Sequence, residues 1–354
     1  MSVAVVSGAA GLIGFEAARL FAARGLEIAG IDNDMRAYFF GAGASNLRNR
    51  QRLERDVKGY THFADDIRDR DAMGRVFSRF GSDIAVVIHA AGQPSHDWAA
   101  REPLTDFEVN ATGTLNLLEL TRRHCPRATF IFTSTNKVYG DTPNRLPLRE
   151  LETRWEMPPD DARFAGIDEN MSIDGALHSI FGASKTAADL MVQEYGRYFG
   201  MNTVCFRAGC LTGPAHQGAE LHGFLAYLAR CAVAGTAYTV HGYKGKQVRD
   251  NIHAEDLVEA FWQFFLKPRQ AAVYNIGGGR QANCSMREAI ALIEHETGRA
   301  LDWSYSEPAR AGDHIWWISD LKRFRADYPL WQLRHGIEDI VAELVAAQRE
   351  RAAN

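Results

Sequence analysis

The sequence predicts an α/β protein, in which a Rossmann-type, doubly wound parallel sheet precedes a smaller C-terminal α/β lobe. Three observations predict this fold. Short apolar runs alternate with helical patterns over the first two hundred residues, the first run leads into the glycine-rich turn "SGAAGLIG", and the rhythm changes after about residue 207. Buried parallel strands are apolar along their whole length, and regular β-α alternation winds such strands into a sheet covered on both faces.

Each element follows from its local pattern. Apolar, β-branched runs predict strands at 3–7, 26–32, 61–66, 85–92, 128–134 and 202–207. Between them, amphipathic patterns predict helices at 11–24, 69–80, 102–124 and 176–199. Later helices are expected at 221–234, 254–266, 285–298 and 335–352, with strands near "YTVHG" and "VYNIGGG". We expect one domain from 1–207 plus 251–279 and a second from 208–250 plus 280–354, with the polar stretch 146–171 as a long loop.

Composition excludes several classes of protein. The formal net charge of -4 comes from mixed signs without a basic stripe, so we expect no nucleic-acid partner. No run of eighteen apolar residues is present, which predicts no membrane span. The start carries no signal-peptide pattern, and five scattered cysteines lack metal-ligand spacing. The sequence therefore predicts a cytoplasmic protein without a metal.

The glycine-rich turn predicts a phosphate site. Gly8, Gly11 and Gly14 stand between the first strand and the first helix, where glycine permits a tight turn and close backbone approach. The helix N-terminus, which includes Leu12 and Ile13, offers free N–H groups to a pyrophosphate. Asp32 closes the second strand and is placed to accept hydrogen bonds from an adenosine ribose. This pattern predicts NAD as cofactor, although Arg36 leaves an opening for NADP.

Later strand ends supply further candidate contacts to the dinucleotide. Asp66 could meet the adenine amino group, or equally could cap its own loop. The "HAAGQ" segment ends the fourth strand with small residues against which a cofactor can lie. The further candidate cofactor contacts, beside the glycine-rich turn and Asp32, are Asn33, Asp66, Ile67, Ala90, Ala91 and Gln93.

The motifs together resemble one family. "GAAGLIG", "HAAGQ", "VNATGTLNLLE" (109–119), "STNKVYGD" (134–141), "QVRDNIHAEDL" (247–257), "YNIGGG" and "PARAGD" (308–313) run almost the whole length. They resemble the extended short-chain dehydrogenase/reductases that act as sugar-nucleotide epimerases and dehydratases. "STNKVYGD", a His-Ser pair before position 181 and "GKQVRDNIHAEDL" are most similar to the CDP-tyvelose 2-epimerases.

The resemblance implies site roles. Thr135 would hydrogen-bond the reacting sugar hydroxyl, and Lys185 would bind the nicotinamide ribose and lower the pKa of the base. Asn110 would support the geometry around that lysine. Thr133 is implied at the cofactor, and Ser134, Asn136 and Cys210 at the sugar, with a buried unreactive thiol the alternative for Cys210.

Other implied roles concern the nucleotide. Arg249 and Arg310 would hold the substrate diphosphate, because forked guanidinium groups match phosphate oxygens; the alternative for Arg249 is a surface salt bridge with Asp250. Trp316 and Trp317 are expected in the core, with stacking on a nucleobase as the alternative.

Two departures from the family pattern shape the functional prediction. Dehydratases of this family carry an Asp-Glu pair after the active-site Thr, whereas Asn136 and Lys137 follow Thr135 here, which disfavours dehydration. The family's tyrosine base is replaced by Phe181, four residues before Lys185, and a phenyl ring has no donor or acceptor. Phe181 is an engineered change that traps substrate, or it accompanies a relocated base such as His178, or it marks a protein without turnover.

The leading hypothesis is an NAD-dependent nucleotide-sugar epimerase that acts at C2 through a transient keto sugar. The alternatives are a non-catalytic protein that binds NAD and nucleotide sugars, and a net NAD-dependent dehydrogenase. Family members often pair through two helices per subunit, so the resemblance implies a homodimer formed by helices 102–124 and 176–199.

Overall fold

The computed structural model describes residues 2–220, 222–309 and 312–353. Among these residues the strands, in chain order, are β1 Val3–Ser7, β2 Glu27–Ile31, β3 Tyr60–Phe63, β4 Ile84–His89, β5 Thr129–Thr135, β6 Arg149–Glu150, β7 Trp155–Glu156, β8 Thr203–Ala208, β9 Cys210–Thr212, β10 Tyr238–His241, β11 Val248–His253, β12 Ala272–Ile276, β13 Asn283–Ser285, β14 Trp303–Ser306 and β15 Trp316–Trp317.

The α-helices over the same residues are α1 Leu12–Ala23, α2 Met35–Phe40, α3 Leu47–Asp56, α4 Arg70–Phe80, α5 His96–Arg101, α6 Pro103–Phe107, α7 Gly113–His124, α8 Ile180–Phe199, α9 Phe224–Ala234, α10 Ala254–Leu266, α11 Met286–Thr297, α12 Lys322–Asp327 and α13 Ile337–Ala353. A π-helical turn, Glu108–Thr112, joins α6 to α7.

The chain divides into two compact units. The first comprises Met1–Val138, Ile180–Arg207 and Leu257–Tyr274, and the second comprises Tyr139–Ser179, Ala208–Asp256 and Asn275–Asn354. Residues 139–179, 251–256 and 275–279, all expected in the first domain, therefore fall in the second unit. The assignment of one unit to the cofactor and the other to the substrate stays a prediction.

The first unit is built on a parallel sheet, which confirms the predicted Rossmann-type fold. Among the described residues, seven strands take the order β12-β8-β5-β4-β1-β2-β3. Strand β1 pairs in parallel with β2 on one side and with β4 on the other. The strand order reverses at this point, and in open α/β sheets the crevice at such a reversal binds ligands. The glycine-rich turn follows β1 and so lies at this crevice.

Apolar packing between the sheet and its helices forms the core of the first unit. Val5, Val87 and Phe130 of the strands pack with Phe77 of α4 and Leu117 of α7, and all five are fully buried. Burial of each such side chain stabilises the fold by about 1.5–3 kcal/mol relative to exposure. Val5, Val87 and Phe130 also belong to the apolar runs from which the strands were predicted.

Some predicted elements have different bounds. The helix predicted at 102–124 is three segments, because Pro103 starts α6 and a π-helical turn precedes α7. The helix predicted at 176–199 begins at Ile180. Helix α3 was predicted only as a solvated helix face within "NLRNRQRLERD", without bounds, since only Asn49 and Leu53 of its ten residues are buried. The polar loop 146–171 contains the short antiparallel pair β6–β7.

The second unit contains small sheets and a helical layer. Strand β11 pairs with β9, β13 and β15, and β10 pairs in parallel with β14. Helices α9, α11 and α13 bury Leu228, Ile290 and Leu344 in a common core. Helix α11 starts with a capping box, in which Ser285 and Glu288 satisfy each other's backbone N–H groups.

Within the described part of the chain, no helix combines the length and the apolar character needed to cross a bilayer.

Candidate active site

The glycine-rich turn is formed by positions where a side chain would not fit. Gly8 has φ +69°, and a Cβ there would lie 2.7 Å from the backbone nitrogen of Ala91. A Cβ on Gly14 would lie 2.0 Å from the carbonyl oxygen of Gly8. The turn, the first helix and the end of β4 are therefore in backbone contact. Since Gly11 is the N-cap of α1 and has no capping side chain, the amides of Leu12 and the next residues suit a phosphate.

Asp32 organises the loop after β2. Its carboxylate accepts hydrogen bonds from the Ala10 amide at 2.9 Å and the Asp34 amide at 2.8 Å. Burial raises the pKa of Asp32, and those amide hydrogen bonds act against the rise. Beside Asp32 the first unit has a cleft, lined by Ala10, Asp32, Asn33, Asp34, Asn46, Leu47, Arg50 and Ala64.

The arginines near this cleft differ from the predicted arrangement. Arg36, the residue that left an opening for NADP, stacks over the Phe40 ring at 4.9 Å, and burial lowers its pKa to about 10. Arg50 lines the cleft instead and pairs with Glu54 at 3.0 Å. Arg50 was missed because the alternating arginines and acids of "NLRNRQRLERD" indicate no more than a solvated helix face.

Asp66 is held in place by its neighbours. Arg68 donates to both carboxylate oxygens, at 3.0 and 2.8 Å, and Asn33 donates to one of them at 3.0 Å. Burial raises the pKa of Asp66, but the hydrogen bonds from Arg68 outweigh it and the pKa is lowered overall. These contacts fit the loop-capping alternative, and a contact with adenine stays a prediction. Ile67 is buried, and its Cδ1 would lie 2.6 Å from a Cβ at Gly113.

The end of β5 brings the predicted lysine and threonines together. The Lys185 ammonium donates to the carbonyl oxygen of Thr133 at 2.9 Å and lies 4.1 Å from the Phe132 ring centroid. Only 7% of Lys185 is exposed, and burial lowers its pKa to about 8. Thr135 Oγ1 accepts a hydrogen bond from the amide of Lys137 at 3.2 Å. This arrangement holds a cation at the strand end, beside the threonine predicted to contact the sugar.

The adjacent hydroxyl groups of Thr133 and Ser134 differ in their hydrogen bonding. The buried Thr133 Oγ1 has no hydrogen-bond partner among the described residues, as expected where a bound group completes the site. Ser134 was predicted to contact the substrate, but its hydroxyl donates to the buried Asp189 carboxylate at 2.6 Å. Asp189 in turn pairs with Arg207 at 2.7 Å. The Ser134 hydroxyl is thus engaged by a buried carboxylate. Asn136, also predicted to contact the sugar, is only 5% exposed.

A buried polar cluster, formed by Gln93, Asp106, Asn110 and Ser184, connects β4, the π-helical turn and α8. Asn110 accepts from the Gln93 amide at 2.9 Å and donates to Ser184 at 3.1 Å and Asp106 at 3.0 Å. Ser184 donates to Asp106 at 2.6 Å. Burial raises the pKa of Asp106. The cluster fixes Ser184, the residue before Lys185, so it supports the predicted role of Asn110 near the lysine.

The cluster also revises the prediction for Gln93. Its side-chain amide donates to Asp106 at 2.7 Å and to the Ser95 carbonyl at 2.8 Å, so those donors are not available to a cofactor. Ala90 and Ala91 follow β4 beside Gly8, as the predicted contact requires. Asp106 and Ser184 were missed because no local motif marks them. The π-helical turn is a signal of function that only the structure provides.

Phe181 lies one helical turn before Lys185 on α8, and only 6% of it is exposed. Its ring meets that of His96 edge to face, with centroids 5.0 Å apart. The helix predicted at 176–199 would place His178 one helical turn before Phe181, but this placement is wrong because α8 begins only at Ile180. His178 Nδ1 is hydrogen-bonded to the Ala176 carbonyl at 3.1 Å.

In the second unit, Arg249 is 8% exposed and its guanidinium contacts Asp313 at 2.5 Å. The alternative pairing with Asp250 is wrong: Asp250 is fully buried and accepts hydrogen bonds from the amides of Ser319 and Gly279. Arg310 lies outside the described residues. Cys210 is partly buried at the start of β9.

The two tryptophans belong to the core of the second unit. Trp316 and Trp317 are fully buried, and Trp317 stacks on Tyr139 with ring centroids 5.4 Å apart. Trp316 donates its indole N–H to Glu156 at 3.0 Å. The first expectation, core packing, is therefore confirmed over base stacking.

One group in the second unit has the composition of a metal site. His253, Glu255 and His335 bring ligand atoms within 4.8 Å of one another. However, Nδ1 of His253 accepts a hydrogen bond from the Glu255 amide at 3.2 Å, which places the imidazole proton on Nε2. Nε2 lies 3.2 Å from the Glu343 carboxylate. A protonated nitrogen does not bind a metal, so the geometry favours an imidazole–carboxylate contact.

Comparison with known proteins identifies the class to which this fold and site belong. A model of the NAD dependent epimerase/dehydratase family matches residues 4–277. The chain belongs to this family, and its cofactor is NAD. The glycine-rich turn, Asp32 and the unpartnered Thr133 hydroxyl fit that dinucleotide.

Particular relatives are similar over three quarters or more of this chain. The chain is 30% identical to CDP-paratose 2-epimerase of Salmonella typhi over 327 residues, covering 90% of this chain and 91% of the relative. It is 28% identical to dTDP-glucose 4,6-dehydratase 1 of Escherichia coli, covering 75% and 81%. The crystal structure of Thermus thermophilus UDP-glucose 4-epimerase with NAD aligns with a TM-score of 0.78 at 26% identity, covering 98% and 99%.

Proposed function

We propose that this protein is a nucleotide-sugar epimerase that inverts C2 of a CDP- or other nucleoside-diphosphate hexose through a transient keto sugar. The observation that carries the proposal is the end of β5, where the buried Lys185 ammonium is fixed 2.9 Å from the Thr133 carbonyl oxygen, two residues before Thr135. The similarity to a CDP-paratose 2-epimerase supports C2 and the cytidine nucleotide.

The residues after Thr135 favour epimerisation over dehydration. Removal of water from a sugar needs an acid and a base, and an amide and an ammonium at 136 and 137 do not supply that pair. The chemistry that NAD supplies when bound is reversible acceptance of hydride from the sugar carbon. Thr135 then orients the sugar hydroxyl, and Lys185 stabilises negative charge on its oxygen.

The substrate diphosphate is proposed to bind Arg249 and Arg310. Arg249 is buried and carries its charge beside Asp313, so a phosphate competes with that carboxylate for the guanidinium. An Arg249→Ala/Arg310→Ala double variant should bind nucleotide sugar more weakly in isothermal titration and should retain NAD. Arg163→Ala, which removes an exposed Arg–Asp pair, is the matched control. Unchanged nucleotide-sugar affinity in the double variant would contradict the assignment.

Turnover with CDP-, UDP- and dTDP-hexoses tests the reaction itself. Epimerisation at C2 changes the proton NMR coupling between H1 and H2 of the sugar, whereas inversion at C4 leaves that coupling unchanged. We expect the first change, with a CDP-hexose the best substrate. Accumulation of NADH with a keto sugar would instead identify a net dehydrogenase.

A second function is favoured by Phe181 alone. A protein that binds NAD and a nucleotide sugar without turnover needs no general base, and Phe181 provides none. A protein without turnover also has no need for Thr135 and Lys185. The presence of both residues therefore favours an enzyme. A Phe181→Tyr variant separates the cases: if Phe181 is an engineered trap, tyrosine restores activity, and if the base is elsewhere, the unmodified protein already turns over.

We further propose a homodimer in a reducing compartment such as the cytoplasm. Leu104 and Phe107 of α6, Leu115 of α7 and Leu190 of α8 are exposed apolar residues on the helices implied to pair. All five cysteines lie among the described residues, and none of them is in a disulfide there.

A further inference from the structure

A histidine that no motif marks is the direct neighbour of the residue that replaces tyrosine. The rings of His96 and Phe181 have centroids 5.0 Å apart and planes inclined by 75°. His96 is the first residue of α5 and is partly buried, and both residues belong to the first unit. An imidazole can accept and return a proton near neutral pH. A side chain able to carry the proton is thus present where the family has a phenol.

The segment 92–96 ends at His96. It lies beside both Lys185 and Phe181, which share one face of α8. At one end, a Cβ on Gly92 would lie 4.0 Å from the Lys185 ammonium nitrogen. At the other end, His96 contacts the Phe181 ring. Residues four apart on a helix share one face, so this segment runs along the face on which the family places its base and its lysine.

The segment is held rigidly. Gln93 is bound into the buried polar cluster through its backbone amide and its side chain. Ser95 is the N-cap of α5, and its hydroxyl accepts a hydrogen bond from the Trp98 amide at 3.3 Å. A group that transfers protons needs a fixed position, and buried hydrogen-bonded supports of this kind provide it.

Other histidines are less suited to this role. His89 is fully buried, its two ring nitrogens contact Ser7 at 2.7 Å and Thr114 at 2.9 Å, and burial lowers its pKa to about 3. His178 precedes α8, and its Nδ1 is engaged by the Ala176 carbonyl. His96 is the histidine whose ring packs on Phe181.

We propose that His96 is the relocated general base and acid of this protein; this inference rests on the proposed epimerase function. In the first step the O–H bond of the sugar hydroxyl breaks and its proton passes to the His96 imidazole. Bound NAD⁺ would supply the acceptor for the C–H electron pair of the same carbon, so that a C=O bond would form. On return of that hydride to the other face, His96 would give the proton back to the oxygen. Phe181 fills the space of the phenol and packs against the imidazole.

Two replacements of His96 test the proposal. His96→Ala and the polar, non-titrating His96→Gln should each lower kcat about a hundred- to ten-thousandfold, the usual loss of a general base. The amount of NAD released on denaturation and the affinity for nucleotide sugar should stay close to those of the unmodified protein. His295→Ala, an exposed histidine on α11, is the matched control and should leave kcat unchanged.

Rescue distinguishes a base from a structural residue. Phe181→Tyr placed in the His96→Ala protein returns a proton-accepting group to the site and should recover most of the lost kcat. Free imidazole added to a His96→Gly protein should also raise kcat. A merely structural histidine would not be replaced by a phenol at another position.

Four results would overturn the proposal. Full kcat in both His96 variants, or loss that neither tyrosine nor imidazole restores, shows that His96 is not the base. Turnover only after Phe181→Tyr in the protein that retains His96 also contradicts it, while supporting the epimerase assignment. If neither the unmodified protein nor Phe181→Tyr turns over or binds any nucleotide sugar, the proposed function itself fails, and the histidine role with it.

Discussion

Among single residues, Lys185 is expected to set the upper pH limit of turnover, because it is a charged group that is buried. Burial lowers its pKa to about 8, and its ammonium donates a hydrogen bond to the Thr133 carbonyl oxygen. The ammonium is present below that pH and is lost above it. Turnover should therefore fall as pH rises through about 8, because a neutral amine stabilises negative charge on the sugar oxygen less well.

Lys185→Met should lower kcat about a hundredfold or more and remove this alkaline limb from a rate profile measured between neutral pH and pH 10. Lys58→Met, an exposed lysine, serves as control and should keep the limb. An alkaline limb that survives in Lys185→Met would assign it to another group.

Gly8 provides a second test at the same scale. Alanine at Gly8 combines left-handed backbone strain with a contact of 2.7 Å to the Ala91 nitrogen. Gly25→Ala is the matched control, since Gly25 has φ +95° and a Cβ there meets nothing within 4 Å. Denaturant unfolding should show a loss of about 1–2 kcal/mol for Gly25→Ala and a larger loss for Gly8→Ala. Only Gly8→Ala should also lose bound NAD; equal effects of the two variants would contradict the close approach.

Among elements, β11 carries a buried carboxylate whose titration affects stability. Burial raises the pKa of Asp250 from 3.8 to about 6, against hydrogen bonds from Ser319 and Gly279. A raised folded-state pKa gives stability that is fully present below about pH 4 and is lost as pH rises through about 6. The free energy of unfolding of the unmodified protein, minus that of Asp250→Asn, should fall over this window. A flat difference between pH 4 and pH 7 would show that Asp250 does not titrate as described.

The elements also show what sequence can and cannot predict. The sheet strands and the glycine-rich turn were predictable, because buried parallel strands are apolar throughout and Gly8 and Gly14 occupy positions that exclude any side chain. Helix α3 was predictable only as a solvated helix face without bounds, since exposed residues dominate its composition. The buried polar cluster joins Gln93, Asp106, Asn110 and Ser184 across the fold, and the contact between His96 and Phe181 joins distant positions. Such pairings depend on tertiary packing, which no local pattern encodes.

For the whole molecule, the exposed apolar residues on α6, α7 and α8 predict self-association. Leu104 is 78% exposed on α6, and Leu190 is exposed on α8. A charge placed among them is desolvated on association and opposes it. Leu104→Asp should shift the mass measured by light scattering from dimer to monomer. Leu330→Asp, at a site 84% exposed in the second unit, should leave the dimer intact. A monomeric unmodified protein would contradict the pairing.

The proposed reaction inverts C2 of a nucleotide sugar by removing and returning the same hydride. The most direct measurement is proton NMR of a CDP-hexose incubated with the NAD-loaded protein in deuterated water. We predict that the product is inverted at C2 and retains protium there, since hydride held by the nicotinamide does not exchange with solvent. Incorporation of deuterium at C2, or an unaltered C2 configuration, would contradict the account.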